Sequence, residues 1–150
     1  MSCNAPRSAF ARYGGQSMLV RAVLIWCVLL VIASINGIAR EAVLIPRFGD
    51  AAGRAVSTLA LSAFIVILTW ISIAWIAPRS APQAWAVGVM WVALTLAFEF
   101  LAGHYLFHNP WSRLLEDYDV ARGRIWILVL FTTLFAPWVC AGLRTLMAVD

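Results

Sequence analysis

Four long apolar runs follow one another along the chain, separated by short polar segments. A transmembrane helix needs about 20 predominantly apolar residues, because each residue advances ~1.5 Å along the helix axis and the hydrocarbon core is ~30 Å thick. The pattern therefore predicts an all-α fold, a transmembrane four-helix bundle. The predicted spans cover residues 19–40, 55–77, 84–107 and 125–143.

The segment before the first span is polar. Residues 1–17 contain Pro, Gly, Ser and the arginines Arg7 and Arg12 with no apolar periodicity, which predicts a disordered basic tail ahead of a membrane domain at residues 18–150. The apolar run Ala22–Ala39 is 18 residues long. The apolar region of a secretory signal has about 7–15 residues, so we expect an uncleaved first helix.

The end of the first span is ambiguous, because Asn36, Arg40 and Glu41 precede a further short apolar run at residues 42–45. If the helix continues to Ile45, Asn36 and Arg40 share a face and form a polar strip near one membrane surface. If the helix stops, the segment is an interfacial loop whose arginine extends to the headgroups. The sequence alone leaves both interpretations open.

Three features predict how the spans pack. Hydroxyl groups along the second span favour close helix contact and bonds to carbonyls one turn away. The connection from Pro78 to Pro82 is short, so spans two and three are predicted to be antiparallel neighbours. In the third span, Ala93 and Ala97 form a predicted close-packing face. The hydroxyl residues are Ser57, Thr58, Ser62, Thr69 and Ser72.

The segment between spans three and four predicts a short helix that lies in the membrane interface. Asn109 suits the N-cap and Pro110 the first helical position. Apolar residues then recur at helical spacing from Trp111 to Tyr118, with charged residues on the opposite side. This amphipathic pattern is typical of interfacial helices.

Glu99 is an acidic residue inside the third predicted span. A carboxylate in the hydrocarbon is costly, so it is expected to be neutral or paired, and it marks a candidate functional site. Because the first and third spans run in the same direction, Asn36 and Arg40 are predicted in the same leaflet, where either supplies a structural tie to Glu99. The alternatives are a carboxylate that exchanges protons during transport and a protonated acid that is hydrogen-bonded locally.

Metal, cofactor and thiol chemistry have weak support. His104 and His108 are four residues apart, but Glu99 lies about 140° and 180° away from them around an ideal helix, so the three cannot converge on one ion. We interpret the histidines as interfacial groups and expect no metal or other cofactor. The three cysteines, at positions 3, 27 and 140, have no C-x-x-C spacing, which argues against disulfide exchange.

A polar cluster at one membrane surface is the candidate functional site. It combines the end of the first span, the acid and first histidine of the third span, and charges from the following loop. No catalytic residue is predicted, because the loop acids lie near arginines and are explained by a solvated charge network. The cluster consists of Asn36, Arg40, Glu41, Glu99, His104, Asp117 and Arg124.

Composition and charge support the membrane class. Hydrophobic residues make up 63% of the chain and charged residues 12%. All eleven basic residues are arginines scattered through tails and loops, which indicates contacts with lipid headgroups and argues against a nucleic-acid partner. They divide five to six between the two predicted surfaces, and the lower acidic load on the tail side leads us to expect both termini in the cytoplasm.

Several motifs resemble a family of small uncharacterised bacterial membrane proteins. They are Asn-Gly-Ile-Ala-Arg-Glu at residues 36–41 followed by Pro46 and Gly49, Phe-Glu-Phe-Leu-Ala-Gly-His-Tyr at residues 98–105, Trp-Ser-Arg-Leu-Leu-Glu-Asp-Tyr at residues 111–118, and Gly-Arg-Ile-Trp at residues 123–126. The resemblance covers residues 36–144 and implies four helices in the bacterial inner membrane. It implies no established activity, so no site residue is carried over from it.

Two functional hypotheses follow. The first is a non-enzymatic accessory or helix-packing protein with a polar cluster at one surface, whose partners are the lipid bilayer and a membrane protein or a second copy. The second is a small dimeric proton-coupled transporter that uses Glu99. The four-span plan with one embedded acid is similar to the small multidrug resistance transporters, but those have the acid in the first span and this chain has it in the third.

Overall fold

The computed structural model describes residues 7–101, 104–105 and 125–147 of the chain. The predicted interfacial helix at residues 111–118 and the predicted site residues Asp117 and Arg124 lie outside these ranges. Every regular element in the described residues is helical. The elements are α1 (Arg7–Ala39), a π-helical segment (Arg40–Leu44), α2 (Ile45–Phe48), α3 (Asp50–Ile76), α4 (Ala81–Leu101) and α5 (Ile127–Met147).

Four of these helical stretches are long and apolar enough to cross a membrane, which confirms the predicted all-α four-helix bundle and makes the chain a multi-pass membrane protein. Large apolar side chains cover the outside of the bundle, as a lipid-facing surface requires. The four stretches are Ser17–Phe48, Asp50–Ile76, Ala81–Leu101 and Ile127–Met147.

The first helix begins earlier than expected. The sequence predicted a disordered tail over residues 1–17, whereas α1 begins at Arg7. Adding a residue to an existing helix gains one hydrogen bond without a new nucleation cost. Ala9 and Ala11 have the highest intrinsic helix propensity. The apolar span therefore extends into a polar segment that would not nucleate a helix by itself.

The first span continues as a helix beyond Arg40, as one of the two interpretations proposed. The segment Arg40–Leu44 is π-helical and leads into α2, and the chain then reverses at Gly49, whose φ is 82°. Gly53 in the first turn of α3 lies directly against this segment, because an added Cβ would come within 2.9 Å of the main-chain nitrogen of Ile45. The close approach holds the π-helical segment and α2 against α3.

The helices form a ring in the order α1, α3, α5, α4. The most extensive contacts join α5 to α3 and to α4, while α1 packs mainly on α3 and touches α4 more sparsely.

The prediction that spans two and three are neighbours is therefore wrong, since α5 lies between α3 and α4. Four connecting residues reach roughly 13 Å, which exceeds the ~8–10 Å between the axes of packed helices, so the short connection does not force contact.

Four of the five hydroxyl residues predicted to favour helix contact are buried in the bundle, and the fifth, Ser62, is partly buried. Ser57, Thr58, Thr69 and Ser72 are buried. The hydroxyls of Thr69 and Ser72 donate to the carbonyls of the preceding turn at 2.6 and 2.7 Å. Their polar atoms are thereby satisfied without water.

The close-packing face of α4 differs from the predicted one. Ala93 and Ala97 are exposed, whereas Ala84 and Gly88 are buried. A Cβ added at Gly88 would overlap the carbonyl oxygen of Leu134 on α5. The pattern of two small residues four apart occurs twice on α4, and the absence of a side chain at position 88 decides which copy meets the neighbouring helix.

Two arginines fasten α1 and α5 to the end of α3. Arg21 donates to the carbonyl of Trp75 at 2.9 Å, and Arg144 donates to the carbonyl of Trp70 at 2.8 Å. Each guanidinium also lies over the ring of the same tryptophan, at 5.6 and 5.2 Å from the centroid. We call this end of the bundle, which includes the α3–α4 connection, the Arg79 end, and the opposite end the Glu99 end.

Candidate functional site

A cleft of about 910 Å³ opens between α1 and α4 toward the Glu99 end of the bundle. Its back wall comes from α3 and α5. Apolar and aromatic side chains form most of the lining, and polar groups come from the π-helical segment and from the last turns of α1 and α4. We call it the α1–α4 cleft.

Two indole hydrogen bonds join α1 to α4 beside the cleft. The indole of Trp91, which is completely buried, donates to the carbonyl of Ala22 at 2.8 Å, and Trp26 donates to the hydroxyl of Thr95 at 3.1 Å. Further along α1 the small residues Ala33 and Gly37 line the cleft. Small side chains at these positions leave the space open.

Glu99 lies half-buried in the last turn of α4 and lines the cleft. Its carboxylate accepts a hydrogen bond from Nε1 of Trp126 at 3.3 Å. The expectation that Glu99 has a polar companion is met, and the donor found among the described residues is an indole rather than Arg40 or Asn36. Trp126 immediately precedes α5, and α5 packs along α4, so chain topology brings this donor to the carboxylate.

The two residues predicted to bind Glu99 have other partners. The side-chain amide of Asn36 donates to the hydroxyl of Ser57 on α3 at 2.8 Å. Nε of Arg40 pairs with the carboxylate of its neighbour Glu41 at 3.2 Å, and the two side chains are 23% and 59% exposed. A partner one residue away costs less side-chain ordering than one on another helix, and partial exposure makes the pair weak.

The structure brings together four of the seven residues predicted as a polar cluster. Asn36, Arg40, Glu41 and Glu99 all line the α1–α4 cleft. His104 is outside the lining, and its ring contacts that of Tyr105 at 5.0 Å between centroids. The other two predicted members, Asp117 and Arg124, are not among the described residues.

Sequence reasoning missed the aromatic and hydroxyl part of the site. Trp26, Thr95 and Trp126 line the cleft and form its hydrogen bonds between helices. Thr95 stands four residues before Glu99, so a count along the helix face identifies it. No comparable signal exists for Trp26 and Trp126, because their roles depend on which helices become neighbours.

No family model matches this chain, and no curated protein or solved structure matches it either. The chemistry of the cleft is therefore the basis for assigning a function.

The described lining of the cleft is mainly apolar and carries few ionisable groups. It contains one carboxylate with an indole donor, one arginine–glutamate pair, and no histidine or cysteine among the described residues. The described part of the chain also contains no group of three metal-ligating side chains. A general acid–base pair or an activated nucleophile needs a base within hydrogen-bond reach of the reacting group. The hydroxyl of Thr133 instead donates to the carbonyl of Val129 at 2.8 Å.

Proposed function

We propose that the chain is a non-enzymatic accessory protein of the bacterial inner membrane that binds a lipid-like amphipathic molecule in the α1–α4 cleft. The observation that carries this proposal is the cleft itself, with a volume of about 910 Å³. Small-molecule sites are typically clefts of ~300–1,000 Å³, lined mainly by apolar and aromatic groups with a few polar groups that fix orientation. The α1–α4 cleft has the same size and the same division of lining.

The distribution of polar groups matches a molecule with one polar end. Leu29, Leu61 and Ile65 are buried apolar parts of the wall. Glu99 and the Arg40–Glu41 pair lie toward the membrane surface of the Glu99 end. An amphiphile bound here places its apolar chain against the apolar wall and its polar end among the charged and amide groups. Hydrogen bonds to the polar end then offset the free-energy cost of removing it from water.

The finer localisation is part of the proposal. The bacterial inner membrane follows from the motif resemblance, and the accessory role implies a membrane protein partner or a second copy. Both termini are placed in the cytoplasm because the described residues at the Arg79 end include Arg21, Arg79 and Arg144 with no described acid. An excess of arginine in short loops and flanks favours the cytoplasmic side.

The test fills the cleft with a side chain. Gly37 lines the cleft, and a Cβ added there meets no heavy atom within 4 Å. Gly37→Leu is therefore expected to occupy the ligand volume without a clash. Replacing a helical glycine also raises helix propensity by up to ~1 kcal/mol, so loss of ligand would not reflect a weakened helix. The measurement is native mass spectrometry of protein released from membranes, which counts the amphiphiles that stay bound.

The control is Ala63→Leu, which introduces the same leucine at an exposed position of α3 that lines neither cavity. Wild type and Ala63→Leu should retain the amphiphile of the cleft, with loss of roughly tenfold or more of it in Gly37→Leu, because filling removes the space for its chain. Equal retention in all three proteins, or no retained amphiphile in wild type, would reject the proposal.

The second candidate function is proton-coupled transport, and the observation that favours it is the carboxylate of Glu99 in the cleft wall. Glu99→Gln keeps the shape of the side chain and removes its titration. Its matched control is Glu41→Gln, which changes the other acid of the lining. The measurement is proton flux into proteoliposomes in the presence of an added lipophilic substrate. If the flux depends on the substrate, is lost in Glu99→Gln and is kept in Glu41→Gln, the transport function replaces the first proposal.

A further inference from the structure

A second cavity, of about 500 Å³, lies at the Arg79 end between the α3–α4 connection and the last turns of α5. Polar groups from the connection form one side, and apolar groups from α4 and α5 form the other. We call it the Arg79 pocket. The residues that matter for its chemistry are Arg79, Ser80, Ala84, Trp138, Gly142 and Leu146.

We propose that the Arg79 pocket binds the headgroup phosphate of an anionic phospholipid. This site is separate from the α1–α4 cleft, and the proposal does not depend on the function assigned to the cleft. Three observations carry it: an uncommitted guanidinium, a local excess of positive charge, and an apolar wall beside the charge.

Among the described side chains at this end, the guanidinium of Arg79 is the uncommitted cation. Arg21 and Arg144 both donate to tryptophan carbonyls of α3. Arg79 uses its main-chain N–H to bind the side chain of Gln83 at 2.7 Å, and its guanidinium has no ion pair or hydrogen bond to another described residue. A guanidinium offers five donors in a planar fork that matches phosphate, so Arg79 is equipped to bind one.

The charge around the pocket favours an anion. All three described acids, Glu41, Asp50 and Glu99, lie at the opposite end of the bundle. There they are accompanied by local donors, since Arg40 pairs with Glu41 at 3.2 Å and Arg54 pairs with Asp50 at 2.9 Å. At the Arg79 end, the described residues provide positive charge without a described carboxylate to compete with a bound phosphate.

The walls of the pocket indicate a phospholipid as the source of the phosphate. The hydroxyl of Ser80 adjoins Arg79, while Ala84, Trp138 and Leu146 form an apolar side. Trp138 is 42% exposed and lies 5.7 Å from the ring of Trp85. Tryptophan at a membrane interface contacts both headgroups and the first chain carbons. A soluble phosphate would use the arginine and leave the apolar side uncovered.

The experiment compares the retention of phosphatidylglycerol with that of phosphatidylcholine. The full chain is reconstituted into nanodiscs that contain both lipids, and native mass spectrometry counts the lipids retained after release. The wild type is expected to enrich phosphatidylglycerol. Arg79→Gln is expected to reduce this enrichment roughly tenfold or more, because it removes a charge-assisted hydrogen bond.

The matched charge control is Arg47→Gln. Arg47 is an exposed arginine of α2 at the opposite end and lines neither cavity. Its substitution removes the same charge and should leave the enrichment unchanged. Equal losses in Arg79→Gln and Arg47→Gln would show that net charge alone attracts the lipid, and the pocket would be rejected.

A second variant tests the pocket without changing charge. Gly142 lines the pocket, and a Cβ there meets no heavy atom within 4 Å. Gly142→Leu should therefore reduce phosphatidylglycerol enrichment, while Gly37→Leu should not. Competition by soluble glycerol phosphate as strong as that by the phospholipid would overturn the phospholipid assignment. Loss of enrichment in Gly37→Leu together with persistence in Gly142→Leu would place the lipid in the cleft and also overturn it.

Discussion

At the scale of single residues, the central question is how a carboxylate is stabilised near apolar side chains. Glu99 accepts a hydrogen bond from the indole of Trp126 at 3.3 Å. This distance is at the long end for an N–H···O bond, whose usual range is ~2.7–3.2 Å, so its strength is modest. An indole donor still lowers the cost of keeping the carboxyl group in the cleft wall, and it also fastens the end of α4 to the start of α5.

The Trp126–Glu99 bond can be measured with a double-mutant cycle of Trp126→Phe and Glu99→Met. Each substitution retains most of the side-chain volume, while Trp126→Phe removes the donor and Glu99→Met removes the acceptor. We expect a coupling of about 0.5–1.5 kcal/mol in the free energy of unfolding in detergent, the usual range for one hydrogen bond. Effects that add to within roughly 0.3 kcal/mol would mean that the bond contributes nothing to stability.

Gly88 provides a second test at the residue scale, because a Cβ there would overlap the carbonyl oxygen of Leu134. Gly88→Ala is expected to push α4 away from α5 and lower the free energy of unfolding by about 1–3 kcal/mol, as overpacking does. The control is Gly142→Ala, whose Cβ meets nothing within 4 Å and which should be neutral or stabilising. If the two variants have equal stability, the close approach at Gly88 does not matter energetically.

At the scale of elements, the apolar runs predicted the spanning helices well because each run is long and continuous. What they did not predict depends on contacts between elements. The continuation of α1 through the π-helical segment is supported by the close approach of Gly53, and nothing in residues 40–48 indicates that contact. The short connection of residues 77–80 predicted that α3 and α4 pack against each other. In the structure α5 lies between them, and nothing in the connection indicates where this third helix packs.

The same limit applies to the candidate site. Helical spacing identified Asn36, Arg40, Glu41 and Glu99, which do share one cleft. It could not identify the donor of Glu99, because Trp126 is 27 residues away in the chain. The chemistry of a carboxyl group predicts that it needs a hydrogen-bond partner when it is buried. Which residue becomes that partner depends on which helices are neighbours in the ring.

The contact between Gly53 and the π-helical segment leads to a prediction at this scale. A Cβ at residue 53 would come within 2.9 Å of main-chain atoms of Leu44 and Ile45, which cannot rotate away as a side chain can. Gly53→Ala should displace the π-helical segment, accelerate amide hydrogen exchange at residues 40–48, and destabilise the fold by about 1–3 kcal/mol. Gly37→Ala on α1, free of contacts within 4 Å, is the control. Unchanged exchange at residues 40–48 would contradict the proposed role of Gly53.

At the scale of the whole molecule, the two ends of the bundle differ in how arginines are used. At the Glu99 end, Arg40 and Arg54 pair with acids. At the Arg79 end, Arg21 and Arg144 bind carbonyls and tryptophan rings. Trp75 is in the last turn of α3, where carbonyls lack helical partners, so Arg21 satisfies one of them. Among the described residues, positive charge is therefore balanced by carboxylates at the Glu99 end and is not balanced by carboxylates at the Arg79 end.

This asymmetry predicts the orientation of the protein, with the Arg79 end in the cytoplasm. The orientation can be measured with single cysteines introduced at Ser80 and Ala51, which are exposed and lie at opposite ends of the bundle. The native cysteines Cys3, Cys27 and Cys140 are first replaced. A membrane-impermeant maleimide added to intact cells should label Ala51→Cys and leave Ser80→Cys unlabelled until the membrane is permeabilised. The reverse pattern would mean that the retained arginines do not determine orientation. Labelling of both sites in intact cells would contradict a membrane crossing by α3, because this helix separates the two positions.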